Sequence, residues 1–206
     1  MAALREHSAR TEANARLTSW AGLVLFVLLA AQGVTILRIH RLGAAHVVIG
    51  FALLGPLFVK LGSTGWRFAR YYSGDAEYSR AGPPQVLLRV LAPVVVASTI
   101  AVFGSGVALL AVRPGHGSFL LLLHKASFII WFGATAVHVL AYLGPALQRS
   151  VADLAGRGPA RALASRRVRA AVLGASVVIG FVAAVPALGW AHPWVNWLSS
   201  GHKGDR

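Results

Sequence analysis

Residues 119–143 read FLLLLHKASFIIWFGATAVHVLAYL. A transmembrane helix needs about 20 consecutive, mostly apolar residues, and this run is long enough for one crossing. Because the backbone groups of a segment in lipid must be hydrogen-bonded within that segment, the run is predicted to be α-helical. Its ionisable side chains include His124, Lys125 and His138, and it contains neither Asp nor Glu.

Four more apolar runs of similar length occur in the chain. With 56% hydrophobic residues and a mean hydropathy of +0.65, the 206 residues carry more apolar surface than a soluble domain of this size can bury. We therefore predict an all-α integral membrane protein with five transmembrane helices. The runs comprise residues 17–37, 44–61, 90–112, 119–143 and 170–190.

The runs divide the chain into a four-helix transmembrane bundle at 17–143 and a fifth transmembrane helix at 170–190. The remaining segments are predicted to be a cytoplasmic tail at 1–16, a basic cytoplasmic connection at 144–169 and an extracytoplasmic tail at 191–206. We interpret the first run as an uncleaved span rather than a signal peptide, because its apolar core is long and basic residues follow it directly.

Basic residues strongly outnumber acidic ones, with 20 Lys and Arg against 6 Asp and Glu. They flank the apolar runs, so membrane topology and contact with lipid explain them, and we expect no nucleic-acid partner. The positive-inside rule places residues 1–16, 62–89 and 144–169 in the cytoplasm of a bacterium, with the C-terminus outside the inner membrane. The chain contains no Cys, which excludes disulfides, thiolate zinc sites and Cys-ligated iron–sulfur clusters.

The histidines within the predicted spans are the strongest functional signal, because ionisable groups in a membrane are costly and usually functional. His124 and His138 are fourteen residues apart, which separates them by roughly 21 Å along a helix and places them within about 40° of one face. His46 begins the second span at the depth of His124, and the two spans run in the same direction. His46 and His124 could therefore bind one iron from opposite sides.

Five arginines near the predicted membrane surfaces could pair with haem propionates. Arg38, Arg41 and Arg113 are available on the outer side, and Arg67 and Arg70 on the inner side. The alternative interpretation is that these residues serve only as topology signals.

Lys60 follows His46 by fourteen residues and is therefore the positional counterpart of His138. Its neutral amine could ligate a second iron, or its side chain could extend to the cytoplasmic surface and leave the inner haem with a single histidine. Small residues in the spans could make room for a flat porphyrin or could allow close helix packing. These residues are Gly50, Gly55, Gly104, Gly106 and Gly133.

This layout resembles the membrane b-type cytochromes, namely the N-terminal bundle of cytochrome b and the cytochrome b561-like proteins. In the former, the second and fourth helices each carry two histidines about fourteen residues apart. The segment from His124 to His138 fits that pattern, and His46 fits the first ligand of the second helix. Lys60 stands where the resemblance implies another histidine, which leaves one haem b expected and a second one open.

The resemblance implies electron transfer between a quinol pool and a separate redox protein, as a subunit of an oxidoreductase rather than as a stand-alone enzyme. Two alternatives remain open. One is a haem-free multispan transporter or assembly subunit. The other is a zinc or copper site on the outer face, built from His40, His46, His116 and His124.

Overall fold

The computed structural model describes residues 2–80, 86–157 and 164–200, and the side chains of these residues except 2–10 and 80. The described residues include six helices, and none of them lies in a strand. The helices are α1 (Ala2–Leu37), α2 (Ile39–Tyr72), α3 (Ala76–Arg80), α4 (Val86–Leu109), α5 (Ser118–Leu154) and α6 (Arg166–Ser199).

Five of these helices, all except the short α3, are long and apolar enough to cross a membrane. This confirms the prediction of an all-α, multi-pass membrane protein. Helices α1, α2, α5 and α6 extend beyond their apolar runs, so the predicted connection at 144–169 begins as a continuation of α5. Parts of the predicted connection and tail, residues 158–163 and 201–206, lie outside the described residues.

Short turns join the helices at the predicted outer side. Between α1 and α2 the amides of Arg41 and Leu42 donate to the carbonyl of Arg38, at 2.9 and 2.8 Å, and Leu42 itself departs from helical geometry. Between α4 and α5 the chain turns at Gly115, whose φ of +90° is readily adopted only by glycine. These turns bring the beginnings of α2 and α5 back towards the bundle, and both beginnings carry a candidate ligand.

The chain forms two compact units. The first unit comprises Met1–Leu28, Ala52–Pro83 and Tyr142–Gly180, and the second comprises Leu29–Phe51, Pro84–Ala141 and Phe181–Arg206. His46, His124 and His138 belong to the second unit, whereas Lys60, Arg67 and Arg70 belong to the first.

In the first unit, α2 packs directly against α6. A Cβ atom on Gly55 would overlap the backbone of Ser176, so only glycine permits this approach. Its neighbours Ala52 and Leu53 are 0% and 1% exposed. Gly55 therefore serves helix packing, which was one of the two interpretations that its position allowed.

In the second unit, small residues on one face of α6 are fully or almost fully buried: Ala184, Ala187 and Ala191. Nearby, the indole Nε1 of Trp194 donates to the carbonyls of Leu109 and Val112, both at 2.7 Å. The first carbonyl ends α4 and has no partner within the helix, and the second lies in the turn that follows. The two hydrogen bonds hold the α4–α5 turn against α6, which steadies the start of the helix that carries His124.

Candidate cofactor site

The imidazole rings of His46 and His124 lie close together within the second unit. Their centroids are 6.4 Å apart and their planes are nearly perpendicular, at 88°. Both residues are half-buried. An imidazole nitrogen binds a first-row metal such as zinc at about 2.0–2.1 Å, so two rings that share one metal have centroids roughly 6 Å apart. The observed separation of the centroids is therefore compatible with two imidazoles that bind one metal.

The protonation state of His124 follows from its neighbours on α4. Its Nδ1 lies 2.9 Å from the carbonyl oxygen of Val102 and 3.3 Å from Oγ of Ser105. A carbonyl can only accept, so Nδ1 carries the proton and donates it to Val102. The other nitrogen, Nε2, then keeps its lone pair. Metal-ligating histidines almost always have this arrangement, with the second ring nitrogen tied to a carbonyl or carboxylate.

His46 is held in the same way by a hydroxyl on α1. Oγ1 of Thr35 donates to the carbonyl of Gln32 at 2.6 Å, so its oxygen is left to accept from Nδ1 of His46 at 2.9 Å. Thr35 is 3% exposed. Nε2 of Gln32 lies 3.1 Å from the same Nδ1 and 3.3 Å from Nε2 of the ring. In the tautomer with Nδ1 protonated, the lone pair of the ring Nε2 faces this amide. Both imidazoles are thus held through contacts of Nδ1.

Gln32 covers the ring of His46. Its Nε2 donates to the backbone carbonyl of His46 at 3.1 Å and lies 3.3 Å from the ring Nε2. Its Oε1 is buried and has no hydrogen-bond partner among the described residues. An unpaired buried acceptor is unfavourable by about 1–3 kcal/mol. For Nε2 of His46 to bind a metal, the amide of Gln32 would have to move away from that nitrogen.

One of the predicted glycines borders an imidazole of the pair, and a second borders Gln32. A Cβ on Gly106 would lie 3.1 Å from Cε1 of His124, and a Cβ on Gly50 would lie 3.7 Å from Nε2 of Gln32. The absence of a side chain at Gly106 therefore keeps space beside the ring of His124. A Cβ on Gly104 or Gly133 would meet no described atom within 4 Å, so neither glycine permits a close helix contact, and room for a porphyrin there stays a prediction.

The outer arginines are exposed and lie in the second unit. Arg38 and Arg41 line a cavity of about 280 Å³ at the α1–α2 turn, together with Leu37 and His40. Arg113 is exposed in the α4–α5 turn. Pairing of these three residues with propionates remains a prediction.

The residues predicted for an inner haem lie in different units, and two of those in the first unit, Lys60 and Arg70, bond to other residues. Nζ of Lys60 donates to the carbonyl of Thr18 at 2.9 Å. Arg70 forms an ion pair with Asp75 at 3.2 Å. Arg67 is exposed, and His138 is half-buried on α5 in the second unit. A second haem therefore stays a prediction.

The alternative metal site on the outer face receives no support from the described residues. They contain no group of three or more His, Cys, Asp or Glu side chains that could hold a metal ion. His40 instead donates from Nδ1 to the carbonyl of Leu198 at 3.0 Å. Two imidazoles fill only part of a metal's coordination positions, so a metal bound by this pair would need further ligands.

Sequence reasoning missed a buried ionic cluster in the first unit. Asp153 on α5 is completely buried, and its Oδ1 lies 2.7 Å from Nη1 of Arg16 and 2.7 Å from Nη2 of Arg169. Oδ2 accepts from Arg169 at 2.7 Å and from the indole of Trp20 at 3.1 Å. The apolar run ended at Leu143, so Asp153 was assigned to a connection rather than to a helix.

This cluster, which we call the Asp153 cluster (Arg16, Trp20, Asp153 and Arg169), joins α1, α5 and α6. Further bonds satisfy the guanidinium of Arg16, which also contacts Glu12 at 2.9 Å and the carbonyl of Arg157 at 2.8 Å. A signal was present in the sequence, since Asp153 is the sole acidic residue in the arginine-rich segment 144–169.

Comparison with known proteins supplies no family assignment. No protein-family model matches the sequence, and neither curated proteins nor solved structures give a match.

Proposed function

We propose that this protein is a membrane b-type cytochrome that transfers electrons, with His46 and His124 as the axial ligands of one haem. The observation that carries the proposal is the pair of imidazoles, 6.4 Å apart, each oriented by a hydrogen bond from Nδ1. Bound haem would supply one-electron chemistry between ferrous and ferric iron.

The residues around the pair have a positioning role in this proposal. Thr35 and the carbonyl of Val102 hold each imidazole in one tautomer and restrict its rotation. Hydrogen bonds of this kind increase the basicity of the ligating nitrogen. Two histidine ligands fill both axial positions, which favours electron transfer over oxygen binding.

The membrane setting favours particular kinds of electron donor and acceptor. Five helices able to span a membrane favour a quinol as a lipid-soluble donor, with a separate redox protein as the partner. The protein would lie in a bacterial inner membrane with its N-terminus in the cytoplasm, as the distribution of basic residues predicts. Arg38, Arg41 and Arg113 would neutralise the propionates of the outer haem.

A reduced-minus-oxidised visible spectrum of the detergent-purified protein tests this proposal. We expect the sharp bands of haem b in the wild type, and their loss in His46→Ala and in His124→Ala. His40→Ala is the matched control, because His40 lies on the same helix as His46 but bonds to Leu198 instead. It should retain the bands.

Metal analysis of the same samples separates the alternatives. A wild type that contains no haem after expression with added haem precursor would overturn the proposal. Bound zinc or copper in such a protein would favour the outer metal site, and an empty protein would favour a haem-free transporter or assembly subunit. A haem content of two per chain would show that the inner position is also a ligand site.

A further inference from the structure

We propose that the first unit contains a binding site for the phosphate headgroup of an anionic phospholipid, formed by Arg166 and Arg167. These residues line a cavity of about 390 Å³ together with Gly156 and Ala164. Small-molecule sites usually have volumes of about 300–1,000 Å³, so the cavity is large enough for a headgroup. The inference is independent of the proposed cytochrome function.

The arginines in the first turn of α6 differ in their burial and in their partners. Arg169 is buried and donates to both carboxylate oxygens of Asp153. Arg166 and Arg167 are exposed, and neither forms an ion pair or side-chain hydrogen bond with the part of the chain that the structure describes. Their guanidinium groups are therefore available to an external anion.

No described carboxylate neutralises the cavity. Asp153 is the acidic residue closest in sequence, but both of its oxygens accept bonds from the Asp153 cluster and it is completely buried. The cavity thus keeps the two positive charges of Arg166 and Arg167. Arginine binds phosphate well because its planar group donates two parallel hydrogen bonds to phosphate oxygens.

Exposed apolar side chains close in sequence to the residues that line the cavity favour a lipid over a free phosphate ion. Leu154 and Val168 are 62% and 63% exposed. They lie two residues before Gly156 and one residue after Arg167. Acyl chains could cover these side chains while the headgroup occupies the cavity. Basic pockets at the cytoplasmic ends of transmembrane helices bind anionic headgroups in this manner, and the predicted topology places α6 so that it begins there.

Native mass spectrometry of the full chain in detergent tests the site. Phosphatidylglycerol and phosphatidylcholine of equal chain length are added in turn, and the bound fractions give an affinity ratio. We expect the wild type to bind phosphatidylglycerol more tightly than phosphatidylcholine. In R166Q/R167Q this affinity ratio should fall about tenfold. The matched control is R89Q/R149Q, which removes two other exposed arginines and should keep the preference.

Several outcomes would overturn the proposal. Equal losses in both double variants would indicate diffuse attraction rather than a site, and no loss in R166Q/R167Q would show that the lipid binds elsewhere. Displacement of phosphatidylglycerol by millimolar inorganic phosphate, but not by chloride at equal ionic strength, would assign the cavity to a free anion. If R166Q/R167Q fails to fold, R166K/R167K retains the charge without the planar group and should show an intermediate loss. These readouts need no haem, so failure here and failure of the cytochrome proposal are distinguishable.

Discussion

The Asp153 cluster and the His46–His124 pair are both polar groups on apolar helices. They differ in how many of their hydrogen-bonding atoms find a partner within the chain. Each carboxylate oxygen of Asp153 has two donors from the chain. Each imidazole of the pair has its Nδ1 bonded by the chain. Nε2 of His124 has no described partner, and Nε2 of His46 has only the amide of Gln32, at 3.3 Å. The first arrangement stabilises a fold, and the second suits a ligand.

Charge explains this difference. A buried carboxylate is tolerated only when its partners compensate the desolvation fully. A neutral imidazole has a much smaller desolvation penalty, so one of its nitrogens can stay open without unfolding the helix bundle. The comparison predicts that substitutions in the Asp153 cluster affect stability, whereas substitutions around the histidines affect ligand binding.

The largest effect is expected for Asp153→Asn. This change removes the negative charge that the buried Arg16 and Arg169 share, and breaking a buried ion pair in this way destabilises a protein by about 3–5 kcal/mol. The midpoint of thermal unfolding in detergent should fall sharply. Asp75→Asn is the control, since Asp75 pairs with the more exposed Arg70 and should change stability by less than about 1 kcal/mol. Similar shifts in both variants would mean that the cluster has no special role.

Gly55→Val should give the next largest effect, again on stability. The new side chain would collide with the backbone of Ser176, and overpacking of this kind destabilises by about 1–3 kcal/mol, or more where the backbone must move. Unfolding in increasing denaturant measures the loss. Gly104→Ala should leave the free energy of unfolding unchanged, because no described atom lies within 4 Å of the added Cβ. A stable Gly55→Val protein would contradict the close approach of α2 and α6.

Thr35→Val should affect ligand binding rather than stability. Valine has nearly the same shape but cannot accept from Nδ1 of His46, and loss of such a bond usually lowers metal affinity by about 10–100-fold. Haem titration into the cofactor-free protein measures the change, and Thr35→Ser should restore binding. A Thr35→Val protein with unchanged haem affinity would contradict the positioning role of Thr35.

The smallest effect is expected for Gln32→Ala. This change removes a buried acceptor that has no described partner together with the amide that covers His46. Stability should therefore change by less than about 1 kcal/mol, and haem association should become faster. Stopped-flow mixing with haem gives the rate. A slower rate, or the loss of binding, would show that Gln32 supports the ligand rather than covering it.

The five membrane-spanning helices could be predicted from local sequence properties. Hydropathy over about 20 residues is sufficient because each segment in lipid must satisfy its own backbone hydrogen bonds. The relation between His124 and His138 is also local, since the geometry of one helix places both on nearly the same face. The proximity of His46 and His124 was predicted from matching depth on two helices that run in the same direction, and their rings do lie together.

The partners of these residues could not be predicted, because they come from other helices. Thr35 reaches His46 across the α1–α2 turn, and Val102 reaches His124 from α4. The Asp153 cluster combines side chains from α1, α5 and α6, so no window of sequence contains it. Backbone hydrogen bonding and hydropathy act within one segment, so their consequences can be predicted from the sequence. The pairing of charges and the orientation of imidazoles depend on which helices become neighbours, and this arises only when the helices pack.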